Sequence, residues 1–351
     1  MTTAVLETAE ALRKYVWGAP AVAALLYPLA LAAMFRSAEL VHEHAVGAGV
    51  VGFIVSLSLS LAVPAVALRV AYLLGHVDAA SAGEIRARRL AHLAVASPPL
   101  FTLIGVALYL AHAPANGDYA LWALIWLAVL AAIPFGRAGV ASTRPAPAAL
   151  ASRLVTAHAV TALVLLLFLL PHVANHVTGL WSAATHVHVM KGLRTVYRNP
   201  LVEPLLVAVI FFQIGSGLVL FWRRSARMSD LFGTLQTTAA AYLTVFLTSH
   251  LIAVFVLARA VMKIDSDFSF ASGAPAGLLL DSWNIRLIPH YFLAVCCLFV
   301  HVGCGARAVM LSHFPIAASN RVAWWIIGVG ALAATGAVAG LAGLHLAPAA
   351  S

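Results

Sequence analysis

The chain has 351 residues, 63% of them apolar and only 9% charged, with a mean hydropathy of +0.97. A soluble globular domain carries about 25% charged residues, so that class is excluded and the chain reads as an integral membrane protein. Its formal charge of +9 does not indicate nucleic acid, because Lys and Arg gather in the links between apolar runs, where they set orientation and meet lipid head groups.

A helix needs about 20 apolar residues to cross the bilayer, and that length predicts nine spans, near 17–36, 46–75, 91–112, 119–136, 153–178, 201–222, 237–260, 285–311 and 322–346. The predicted fold is therefore all-α, a polytopic transmembrane bundle. The first run has no small-residue cleavage site after a short apolar core and reads as a retained span. When the links are assigned alternately to the two sides, thirteen Lys and Arg residues fall on the amino-terminal side and seven on the other. That imbalance predicts a cytoplasmic amino terminus and an external carboxyl terminus in a bacterial-type inner membrane.

In the amino-terminal half, Pro98-Pro99, His92 and His112 mark irregular or lined helix positions, and His42-Glu43-His44 reads as a solvated helix end. The Pro/Ala-rich segment at 142–152 separates a four-span region of unassigned role, 1–150, from a five-span bundle, 151–351. Between the fifth and sixth spans, His186 to Arg198 mixes charge and apolarity at helical spacing, the pattern of a helix lying in the outer interface. Cys296, Cys297 and Cys304 share one apolar run and read as packing residues.

The informative feature is histidine inside apolar runs. An imidazole in hydrocarbon must find a ligand or a hydrogen bond, so such residues are functional candidates. Haem b in a helical bundle needs two neutral imidazoles from different helices, facing one another across the porphyrin. By helical rise, His172 and His250 lie nearer the outer side, about two turns apart in depth, while His301 and Gln213 lie deeper at similar levels. His290 shares a helix face with His301 and is an alternative partner for His172.

Four stretches carry a resemblance: FLLPHVANH, EPLLVAVIFFQIGSGL, LQTTAAAYLTVFLTSH and FVHVGCG. Across roughly 150–315 the chain resembles the cytochrome b membrane anchors of succinate:quinone and fumarate reductases, of the single-polypeptide, five-helix, two-haem type. The resemblance implies His172 with His250 as ligands of an outer haem b, and His301 as one ligand of an inner haem whose second ligand position holds Gln213. A primary amide is a poor iron ligand beside imidazole, so one haem is expected and the second is left open. The resemblance also implies a membrane quinone as redox partner, and iron–sulfur and flavoprotein subunits on the inner face.

Glu203, at the outer edge of the sixth span, is the candidate proton carrier for a quinone-linked oxidoreductase. Two other classes compete. A metal-cation transporter would draw on the outer histidines, His42, His44, His112, His176, His186, His188 and His290, but lacks accompanying acidic residues in its spans. A haem-free structural membrane protein of the same fold is favoured by Gln213.

Overall fold

The computed structural model describes residues 3–77, 80–132 and 148–347. The expected boundary at 142–152 lies largely outside them. Among the described residues the regular structure is helical: α1 Thr3–His42, α2 Val46–Gly75, α3 Ala82–Val95, α4 Ser97–Leu110, α5 Gly117–Ala132, α6 Ala148–Thr178, α7 Ala183–Tyr197, α8 Val202–Arg224, α9 Leu231–Leu251, α10 Phe268–Ala271, α11 Leu287–Met310 and α12 Ile316–Leu341. A π-helical segment, Ile252–Met262, continues α9.

Seven of these helices are long and apolar enough to cross a membrane, and α3 with α4 makes an eighth if the bent pair counts as one span. The protein is thus a multi-pass helical membrane protein. One of the nine expected spans departs from a straight crossing among the described residues. The third bends by 70° between α3 and α4, where Pro98 and Pro99 stand in the first turn of a new helix, the position in which two missing backbone N–H groups cost least. The fourth, α5, is apolar over its 16 described residues, Gly117–Ala132, and the remainder of the expected span lies outside the described residues. Hydroxyls within the spans bond to carbonyls of their own helix, as Ser56 does to Gly52 O at 2.7 Å and Thr248 to Thr244 O at 2.8 Å. Such bonds satisfy side chains that lipid cannot.

The chain divides into two units, one of Met1–Thr143 with Arg223–Ser249, the other of Arg144–Trp222 with His250–Ser351. In the first, α1 packs along α2, and Tyr27, Phe101, Trp122 and Trp126 form an edge-on aromatic core. The Trp122 indole N–H is satisfied by Ala24 O at 2.7 Å. Buried Arg88 explains why Arg223–Ser249 joins this unit: its guanidinium donates to Leu74 O, Ser225 O and Arg227 O, gathering three backbone carbonyls. These carbonyls satisfy the two terminal nitrogens of a buried guanidinium, while its Nε is buried without a partner.

In the second unit, α12 lies against both α11 and α6. Gly330 permits the closer approach, since a Cβ there would stand 2.2 Å from Cβ of Phe299 on α11. Small residues let membrane helices approach in this way. After α12 the chain returns along the α6–α7 link, with Leu346 N donating to Leu180 O at 2.9 Å. The amphipathic helix expected after the fifth span is α7, capped by Ser182, whose hydroxyl accepts from Thr185 N at 3.0 Å.

Candidate functional site

The apolar length that makes α6 a span also carries two histidines, His158 and His172, fourteen residues apart. Fourteen residues are nearly four turns, so both project from one side of the helix, separated by roughly 21 Å along it. Each faces an imidazole from another helix. His172 faces His250, near the end of α9, with ring centroids 6.2 Å apart and planes at 73°. His158 faces His301 of α11, with centroids 6.3 Å apart and planes at 81°.

These spacings have a simple chemical meaning. An imidazole nitrogen binds a first-row metal at about 2.0–2.1 Å and lies roughly 1.15 Å from its own ring centroid, so two imidazoles on opposite sides of one metal have centroids roughly 6.3 Å apart. Both pairs match that distance. Among the described residues no three His, Cys, Asp or Glu side chains converge as a metal site. A metal with two protein ligands must bring its others with it, which is the chemistry of a haem held axially by two histidines.

The surroundings of the two pairs are partly open. All four imidazoles are half-buried, and along α11 from Tyr291 to Val302 every side chain except Ala294 is neither closed off nor open. Phe168 stacks on His172, with centroids 5.1 Å apart. One turn further along α6, His176 lies 4.9 Å from His172 and 5.2 Å from His186 of α7, ring to ring. Here Asn175 Oδ1, His176 Nδ1 and His186 Nδ1 are buried without a hydrogen-bond partner in the protein, while the Asn175 amide meets His186 Nε2 at 3.2 Å. Buried imidazole N–H groups of this kind suit carboxylates such as those on a haem's edge. Burial pushes the His186 imidazole down to about 4, with Arg194 adding to the effect and Asp267 opposing it.

The structure therefore joins His172 to His250, the pair that the resemblance implied. The depth mismatch between them narrows because the chain beyond His250 is π-helical, a wider and shorter winding than the α-helix assumed in counting depth. His290 is buried, with its ring near Tyr291. His301 and Gln213 are not brought together as a ligand pair. The Gln213 amide donates to His158 O at 2.8 Å and Thr161 Oγ1 at 2.7 Å, both on α6, so it ties α8 to that helix. Glu203, the expected proton carrier, accepts from Arg259 Nη1 at 2.7 Å, an ion pair joining α8 to the π-helical segment.

No protein-family model, curated protein or solved structure matches this chain.

His158 escaped the sequence reading because it lies five residues after Arg153, where a span is just beginning. Its fourteen-residue distance from His172 was the available signal. The π-helix had none, since IAVFVLARAVM suits an α-helix equally well.

Proposed function

We propose that this protein is a membrane cytochrome b that carries electrons between a membrane quinone and a protein partner, with haem b held axially by His172 and His250. The observation that carries the reading is the 6.2 Å separation of those two rings, contributed by different helices inside apolar segments. Haem supplies one-electron iron chemistry, and its potential is set by axial ligands, hydrogen bonding and burial. The protein's own contribution is to hold two neutral imidazoles at that spacing, to exclude water with Phe168 and the surrounding apolar side chains, and to offer His176 and His186 as donors at the outer edge.

The likeness to the succinate and fumarate reductase anchors supports the same reading and suggests iron–sulfur and flavoprotein subunits on a cytoplasmic inner face. The surplus of Lys and Arg on the amino-terminal side supports placing that terminus in the cytoplasm of a bacterial-type cell. Glu203 and Arg259 then brace the outer ends of α8 and the π-helix beside the haem ligand His250.

The test is spectroscopic. The purified protein should be red, with a reducible low-spin b-type spectrum, and His172→Ala or His250→Ala should each remove the same component of that low-spin signal, because an apolar site offers no substitute ligand. If both variants keep the wild-type reduced spectrum, the assignment is wrong.

A further inference from the structure

We infer that His158 and His301 form a second haem b site nearer the inner side, with a ligand set that bypasses Gln213. The inference rests on the reading of His172 and His250 as a haem pair, and it goes further: in the resembling family the second inner ligand stands where Gln213 is, whereas here the opposing imidazole comes from α6.

Hydrogen-bond direction supplies an argument independent of spacing. The Ser216 hydroxyl has one proton, and its oxygen lies 2.6 Å from Phe212 O, the carbonyl one turn back, to which it donates. Toward His158 Nδ1, 2.8 Å away, the same oxygen can then only accept. That places the proton of His158 on Nδ1 and the lone pair on Nε2, the neutral tautomer a metal requires. A metal-ligating histidine is ordinarily oriented by such a bond from its other nitrogen, which also raises its basicity.

Gln213 completes the support. By donating to His158 O and Thr161 Oγ1 it fixes the backbone on which the His158 ring is mounted. Gly217, one turn beyond Gln213, lies beside that ring, since a Cβ there would meet His158 Cε1 at 3.7 Å, an ordinary contact. One helix, α6, then carries a ligand for each of two sites and separates them by roughly 21 Å along its axis.

The decisive measurement is the haem-to-protein ratio of the purified chain, with a redox titration of the reduced spectrum. The inference expects a ratio near two and two midpoint potentials in the wild type. His158→Ala and His301→Ala should each bring the ratio near one and keep the signal that depends on His172 and His250, whereas His172→Ala should keep the other. Gln213→His should add no haem. Ser216→Ala, which keeps both ligands, should raise one midpoint potential and leave the other unmoved, so it serves even if the histidine variants fail to insert. A wild-type ratio of one that His158→Ala leaves unchanged overturns this inference while sparing the first site. A wild type without haem overturns both.

Discussion

At the scale of single residues, the buried imidazole of His186 makes the docking of α7 on α6 sensitive to acid. Its ordinary value is 6.5 and its value in the folded protein is about 4, so between those limits the unfolded chain binds a proton that the folded one refuses. In protein without haem, the stability contributed by a neutral His186 is therefore complete above about pH 6.5 and is lost as the pH falls toward 4, whereas a carboxylate held at its Nδ1 would oppose the effect. The groups facing it are His176 and Asn175 on α6, Phe268, Arg194 and Asp267. Limited proteolysis at the α7 ends should accelerate across that window, and His186→Asn should flatten the profile; an unchanged profile would assign the acid response to other groups. The sites themselves were half legible in the sequence. His172, His250 and His301 could be named because an imidazole in an apolar run needs a reason, but their pairing depends on which helices meet. Gln213 shows the limit, since its sequence position resembles a ligand's while its amide serves as a tie between helices.

At the scale of elements, apolar length revealed the spans, and Pro98-Pro99 marked the irregular one, because a proline pair cannot continue a helix. Local winding stayed hidden. In an α-helix the nine residues from His250 to Arg259 would turn about 900° and place the two side chains on opposite sides. The π-helix, at roughly 80° per residue, brings them to within about 50° of each other. One segment can thereby serve His172 on α6 and Glu203 on α8. Helix contact is equally specific where α12 meets α11. A side chain at Gly330 would collide with the root of Phe299, which cannot swing away as a flexible tip would. Gly330→Leu should therefore push α11 off its line, costing about 1–3 kcal/mol and weakening the His158–His301 pair while leaving His172–His250 intact. Melting temperature and the two haem signals, measured on one preparation, check this; equal loss of both signals would count against it.

At the scale of the whole molecule, the two units are packed differently. In the most apolar stretch of α1, 44% of the residues are buried inside the protein, against 6% for α6 and for α8. The first unit is held by close helix contact, an aromatic core and the carbonyls gathered on Arg88. In the second, α12 packs closely on α11 and α6, while α8 is tied to α6 by the Gln213 amide. A ligand that binds only the folded state adds about 2.7 kcal/mol at one hundred times its dissociation constant, so withdrawing haem should loosen the second unit well before the first. Protein made in haem-starved cells should be cut by protease within 153–222 and 250–347 while the fragments of the first unit persist; uniform digestion would refute this. If the proposed haem is bound, the sparse packing of α6 and α8 would act as a gauge. Chains that meet haem at insertion should outlast those that do not, and the amount of this protein in the membrane should then follow the supply of haem.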